Sequence, residues 1–212
     1  MTDSPAAARP HRARRGVGER LRGEVMDAAE ALLLEHGSQE AVSMRAIAKT
    51  VGVTPPAIYL HFDTKEELFF AVCDRRFNAF TEAVVRALED AGPDASPIDQ
   101  LYVLGRAYVN WGLANPEHYA ILFGGAITLP EDVDPMQLQG RQSLEALLAV
   151  LRRGKAEGAF TFDDEYTAAL TMWAAVHGFV ELATFKQDFV PDIDVRSRLD
   201  AMLDLLLGAL LA

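Results

Sequence analysis

Six arginines and a single glutamate fall between residues 9 and 22 of this 212-residue chain, a cation density suited to a polyanion. Little else in the sequence could make or break a covalent bond. No serine, histidine and aspartate stand in the context of a nucleophilic triad, and no glycine-rich phosphate loop follows a strand. No carboxylate pair sits in contrasting apolar surroundings. His11, His36, His61, His118 and His177 are scattered without carboxylate or cysteine partners, so neither a metal nor another cofactor is expected. Cys73, the only cysteine, excludes an intramolecular disulfide and reads as a small buried hydrophobe. The chemistry on offer is binding, and the expectation is a protein that is not an enzyme.

The formal net charge of −11 argues at first against a nucleic-acid partner, but it hides an asymmetry. Residues 1–62 hold 8 Lys+Arg against 7 Asp+Glu, whereas residues 63–212 hold 12 against 24. A basic arm on an acidic body still attracts phosphate, because charges beyond roughly 8–10 Å are screened. The acidic body then disfavours other approaches. No uncharged run is long enough for a transmembrane helix, and no apolar stretch follows the basic N-terminus, so a cytoplasmic protein is expected.

Half of the residues are hydrophobic, enough to fill a core, and their spacing is helical throughout. No segment alternates with the two-residue period of a strand. The punctuation predicts an all-α chain of about nine helices: a disordered basic arm over 1–17, a three-helix domain over 18–64, a connecting helix over 65–94 and a larger helical domain over 95–212. Leu21, Val25, Ala28 and Leu32 mark the first helix, which stops at Gly37. Ser43 opens a short helix closed by Gly52, and Thr54 opens another whose first turn tolerates Pro55 and Pro56. A capping box at Thr64 starts the long connecting helix.

Two short helices joined by a tight glycine turn outline a helix-turn-helix. Ile47, Ala48 and Val51 would pack the first against its domain, and Val53 would fill the angle between them. The second would then present its N-terminal turn to a major groove wide enough to take it. Ser43 through Phe62, with Lys65 and Leu68, resembles the DNA-binding domain of the tetracycline-repressor (TetR) family. The likeness spans about residues 20–70 and includes Gly37, the Ile47-Ala48 pair, the Gly52-Val53-Thr54 turn and the Tyr59-x-His61-Phe62 exit. Pro56 departs from it, standing where many members have glycine. The resemblance implies roles. Tyr59 and His61 would contact phosphate at the end of the recognition helix, beside Leu60. Ser43 would cap its helix and bind phosphate together. Arg45 would reach a guanine, while Thr54, Pro55 and Ala57 would face thymine methyls. Lys65 lies in a helical first turn, where a cation does nothing for helix stability, so a phosphate partner is expected. Arg12, Arg14 and Arg15 would enter the neighbouring minor groove.

Residues 95–212 resemble the family's effector-binding half more loosely. The run from Trp173 to Gly178 is similar to a Trp-x-x-x-His-Gly signature of one C-terminal subfamily. Tyr108, Trp111, Tyr119 and Phe123, with Met172, Trp173 and His177, are the candidates for an apolar effector cavity. Gly178 costs perhaps 1 kcal/mol against alanine inside a helix, which predicts close approach of a second helix there. The family pairs its last two helices with those of a second copy. Phe179 and the stripe of Leu199, Met202, Leu203, Leu206 and Leu210 are therefore expected at a homodimer interface. The resemblance implies a repressor released from a palindromic operator by a small, largely apolar effector. An activator on the same fold, or a ligand-binding protein with a vestigial DNA-binding module, are the alternatives.

Overall fold

A computed structural model describes residues 11–127, 140–185 and 195–211 of the chain; the side chains of 11–17, 140, 185 and 195–197 are not among those described. The described residues form α1 (His11–His36), α2 (Met44–Val51), α3 (Pro55–Tyr59), α4 (Lys65–Ala91), α5 (Pro97–Ala114), α6 (Pro116–Phe123), α7 (Gly140–Ala156), α8 (Glu165–Phe185) and α9 (Val195–Gly208). The fold is all-α. Among the described residues the only extended pairing is an isolated bridge between Phe160 and Leu211. No helix among them is long and apolar enough to cross a membrane.

The first helix corrects one expectation. It begins at His11 rather than at Val17, so Arg12, Arg14 and Arg15 lie on its opening turns and not on a disordered arm. Arginine and alanine are good helix formers without any apolar stripe, which is why periodicity alone placed the boundary too late. Residues 1–10 lie outside the described residues.

Two compact units divide the chain, and the boundary falls inside α4, between Cys73 and Asp74. The first unit also takes in the segment after Gly125, where the Gln39 N–H donates to the Ala126 carbonyl at 3.0 Å. Its core joins Val25, Ala29 and Leu33 of α1 to Ile47 of α2, Ile58 of α3 and Phe69 of α4, all of them buried. The capping box at the head of α4 forms in a shifted version. Thr64 Oγ1 accepts from the Glu67 N–H at 3.0 Å, while the Glu67 carboxylate accepts from the N–H of Asp63 at 2.6 Å.

In the second unit α5 is the central helix, packed on α7, α8 and α9. Two glycines let its neighbours in. A Cβ at Gly105 would stand 2.6 Å from Leu203 Cδ2 of α9, and one at Gly112 would stand 2.7 Å from Val180 Cγ1 of α8. These are the close helix approaches, and Gly178 is not one: a Cβ there would meet nothing within 4 Å.

The same packing takes part of the expected dimer stripe into the protomer. Leu199, Leu203 and Leu210 are buried inside the protomer, and Phe179, Met202 and Leu206 are packed against the same core. The aspartates between them reach α5: the Arg106 Nε–H donates to Asp200 at 2.8 Å, and the Tyr102 hydroxyl donates to Asp204. An amphipathic stripe shows that a face is covered, and here α5 covers it.

Gly105→Ala should destabilise the chain by about 1–3 kcal/mol through overpacking. Leu203→Ala should cost about 2–5 kcal/mol through the cavity it leaves. Because the two sites touch, the double variant should lose clearly less than the sum. Urea unfolding of the four proteins measures this, and simple additivity would contradict the contact.

Candidate nucleic-acid interface and ligand cavity

In the first unit, Ser43 is extended (φ −105°, ψ 148°) and caps α2, its Oγ accepting from the Ala46 N–H at 3.1 Å. The hydroxyl proton stays available to a second acceptor. Met44, Ile47 and Ala48 bury the inner face of α2, while Arg45 projects from its exposed side. Val51, expected with that inner face, is only half-buried. Gly52 then turns the chain in the left-handed region (φ 79°), where a Cβ would be strained. The N–H groups of Gly52 and Val53 both donate to the Ala48 carbonyl at 2.9 Å, closing the end of α2.

Thr54 caps α3 by backbone shape alone, since its side chain makes no capping hydrogen bond. Pro55 and Pro56 carry no N–H, and the Ala57 N–H is already donated to the Thr54 carbonyl at 2.9 Å. The start of α3 therefore offers rings, a methyl and one hydroxyl rather than an amide nest. That surface suits apolar contact with thymine methyls better than phosphate capture. Ile58 and Phe62 anchor α3 from beneath at 0% exposure, and they leave Tyr59 at 47% and Leu60 at 84%. Tyr59 thus does not simply pack into the core.

Two contacts around the exit of α3 were not anticipated. The Arg22 guanidinium lies 4.7 Å from the centre of the Phe62 ring. A Cβ at Gly18 would come 3.5 Å from His61 Cε1, so α1 passes beside the imidazole. Gly18 and Arg22 are four residues apart on one face of α1, a signal that was available but silent without knowing what that face meets.

Lys65 is corrected more substantially. Its ammonium donates to the carbonyls of Gln39 at 2.9 Å and Val42 at 3.3 Å, so it has a structural reason to stand at the head of α4. The place of this cation is thus explained within the protein, and by itself it no longer argues for a phosphate partner.

In the second unit a cavity of about 380 Å³ opens among α4, α5, α7 and α8. Of the expected residues, Tyr108, Phe123, Met172 and Trp173 line it. Trp111, Tyr119 and His177 do not; they form a layer behind. Trp111 stands edge-on to Phe80 at 5.2 Å between ring centres, and Tyr119 is fully buried against Phe123 at 4.7 Å. Among the lining residues that were not expected are Phe77, Phe80 and Val84 of α4, Leu101 and Leu104 of α5, Leu144 and Leu147 of α7, and Val176 of α8.

A closed hydrogen-bond chain ties wall to layer. The Trp173 indole N–H donates to the Tyr108 hydroxyl at 3.1 Å. Tyr108 meets the Tyr119 hydroxyl at 3.2 Å, and Tyr119 meets His177 Nδ1 at 2.5 Å. Burial pushes both phenols well above the ordinary tyrosine range, and the Glu181 charge adds to it, so both stay protonated. With the imidazole proton on Nε2, each group in the chain donates to the next and ends on Nδ1. The polar atoms are satisfied among themselves, which leaves the cavity apolar.

A tight glycine-turned helix pair with its reading end exposed, joined by a shared helix to a unit holding an apolar cavity, defines a helix-turn-helix regulator. Residues 25–72 match the family of bacterial regulatory proteins called the tetR family, and residues 101–206 match the tetracyclin repressor-like C-terminal domain. The chain belongs to the TetR family of DNA-binding transcriptional regulators. The HTH-type transcriptional regulator Rv1816 of Mycobacterium tuberculosis is 25% identical over 209 residues, covering 82% of this chain and 85% of that one. The structure of a protein of unknown function from Rhodococcus sp. RHA1 superposes with a TM-score of 0.77 at 26% identity, covering 91% and 96% of the two chains. The HTH-type transcriptional activator FasR of Mycolicibacterium smegmatis is 36% identical over 67 residues, 32% of this chain and 30% of its own length.

Lys65→Met should lower the stability of the first unit by about 1–3 kcal/mol, because it strips a charged donor from two carbonyls. Tyr59→Phe, on the exposed side of α3, should leave stability within about 0.5 kcal/mol of wild type. Thermal melts of the two variants test this. A Lys65→Met protein as stable as wild type would show that the carbonyls do not need the ammonium.

Proposed function

We propose that the protein is a repressor whose homodimer holds a palindromic operator through α3 and lets go when a small, largely apolar effector enters the cavity. The observation that carries this reading is the double duty of α4. Its first residue, Lys65, holds the turn before α2, and later residues, Phe77, Phe80 and Val84, form a wall of the cavity. At 1.5 Å per residue its 27 residues run about 40 Å, so filling the cavity and moving the headpiece act on one element. Two recognition helices related by a two-fold axis must match successive major grooves about 34 Å apart. An effector that binds better when they do not match releases the DNA, and a 100-fold release takes about 2.7 kcal/mol of coupling.

Residue roles follow from exposure. Arg45 reads a base edge; Thr54, Pro55 and Ala57 meet methyls; Ser43, Tyr59 and His61 hold phosphates, with Leu60 beside them. Lys65 adds its remaining N–H to a phosphate while bracing the turn, and Arg14 and Arg15 enter the neighbouring minor groove. The partner copy covers the outward face of α8 and α9. Leu182 is 49% exposed there and Leu205 78%, and Gly178 and Gly208 stand on the same helices with nothing against them in the protomer. Small residues beside exposed leucines allow helices of two copies to approach closely. Such a regulator works in the cytoplasm, where its operator is. Kinship with FasR, a named activator, over 67 residues favours activation as the second reading.

Leu182→Asp with Leu205→Asp should split the dimer and abolish tight operator binding while leaving helical content intact; a dimer that survives both would move the interface elsewhere. Arg45→Ala should relax base choice at one position per half-site at a cost of about 1–3 kcal/mol, whereas uniform weakening would make it a phosphate contact. Of the two tryptophans only Trp173 lines the cavity, so an effector should change emission equally in wild type and Trp111→Phe. Saturating operator should weaken that effector by the factor by which the effector weakens operator binding. Compounds that release DNA without touching Trp173 emission would sink the cavity assignment.

A further inference from the structure

Of the six arginines between residues 9 and 22, the two whose side chains are described are held in different ways. Arg20 pairs with Glu24 at 3.3 Å, one turn on along α1, so its charge is answered within the helix. Among the described residues the partners of Arg22 are instead a ring and a sulfur. Its guanidinium lies over Phe62, 4.7 Å from the ring centre, and its Nη1 donates to Met26 Sδ at 3.4 Å. Both contacts hold the group in place, and neither partner carries a charge that would cancel its own. Arginine suits such a seat, because its weakly hydrated plane packs on a ring while its N–H donors stay usable.

The seat is beside the open end of α3. Phe62 is wholly buried, yet Tyr59 and Leu60, two and three residues before it, are exposed, and so is Arg22 itself. One turn earlier on the same face of α1, Gly18 stands against the His61 imidazole, 3.5 Å from where its Cβ would be. An exposed cation with two uncharged anchors therefore lies next to the residues at the exit of α3. Covering the Phe62 ring takes hydrocarbon alone, whereas the guanidinium brings N–H donors that a ring and a sulfur cannot use up.

We infer that Arg22 binds a DNA phosphate, its guanidinium braced by Phe62 and Met26 and presented to the strand that Tyr59 and His61 meet. The assignment rests on the exit of α3 being a phosphate-contacting surface, and it adds a cation from α1. Bracing favours binding, since a guanidinium already seated on a ring loses less freedom when it meets a phosphate. Phosphate contacts fix the register of a protein on the duplex without reading bases. Phe62 also anchors α3 from beneath, so the helix that reads and the cation that positions share one ring. Arg22 thereby helps to set where α3 enters the groove.

The probe is a duplex of about 30 base pairs, room for two half-sites one helical turn apart, selected from random-sequence DNA on the wild-type full chain. Arg22→Gln should weaken its binding about tenfold or more and flatten the slope of log K against log salt by about 0.9 per subunit. Arg22→Lys should keep the slope and lose part of the affinity, because an ammonium lacks the plane that packs on the ring. Replacing the phosphates one at a time by uncharged methylphosphonate should find one in each half-site whose loss weakens wild type but not Arg22→Gln. Thermal melts accompany each titration, and Arg22→Met, which keeps hydrocarbon over Phe62, replaces the glutamine variant if that one does not fold. Weakened binding with an unchanged slope would make Arg22 a brace for Phe62 alone and overturn the inference, as would binding equal to wild type. Tyr59→Phe tells the two readings apart. If it weakens binding and Arg22→Gln does not, only the Arg22 assignment falls; if neither does, the phosphate surface at the exit of α3 falls with it.

Discussion

Two main-chain carbonyls, those of Gln39 and Val42, converge on one ammonium at the head of α4. The residues that carry them are buried, Gln39 at 4% and Val42 at 1%, and a buried carbonyl without a donor costs about 1–3 kcal/mol. Lys65 answers both from across 23 and 26 residues of sequence, so the turn between α1 and α2 is held by α4. α3 in turn packs on α2, and the direction in which Arg45, Thr54 and Tyr59 project follows from that contact. The positive end of α4 opposes a cation, and Glu66 and Glu67 in the same turn offset the opposition. A phosphate arriving at Lys65 would then meet a group already oriented by the protein, with little freedom left to lose.

The parts of the fold legible in the sequence are those whose cause is local. Ser43 and Ser96 cap because their hydroxyls reach an N–H three residues ahead, and Gly52 turns because it alone lacks a Cβ. Ile47 and Ala48, expected on the inner face of α2, are buried, while Val51 beside them is only half-buried. What depends on a distant partner was not legible. The acceptors of Lys65 lie on another element, so a cation with two carbonyls looked like a cation with none. The α9 stripe declared a covered face but not its cover. Leu203 sits over Gly105, and nothing in either residue's neighbourhood names the other.

The cavity shows the same limit in reverse. The aromatic residues of α5, α6 and α8 named for the cavity stand close to one another, but only Tyr108, Phe123 and Trp173 line it. Tyr119 and His177 fall one layer back because the Tyr108 hydroxyl draws them into its hydrogen-bond chain. Much of the missing wall came from Phe77 and Phe80 of α4, the helix expected only to connect the two domains, and from the leucines of α7. A helix that only connected two domains would have no need of aromatic residues there. Phe77 edges Phe123 at 5.7 Å and Phe80 edges Tyr108 at 5.0 Å, which makes α4 part of the packing of its unit as well as the head of the other.

An apolar void inside a close-packed domain forfeits dispersion contacts on every side, and folded domains keep few of them. Filling it recovers those contacts, but recovery alone changes nothing at the DNA; a ligand shifts an equilibrium only by its preference for one state over the other. That preference has to be registered by a residue whose position differs between the states. Leu104 and Met172 touch the cavity from helices confined to the second unit. Phe77 and Phe80 are on α4 already. Their rings pack edge-on against Phe123, Tyr108 and Trp111, the arrangement that aromatic pairs prefer. An effector in the cavity would therefore meet, in Phe77 and Phe80, the same helix that Lys65 begins.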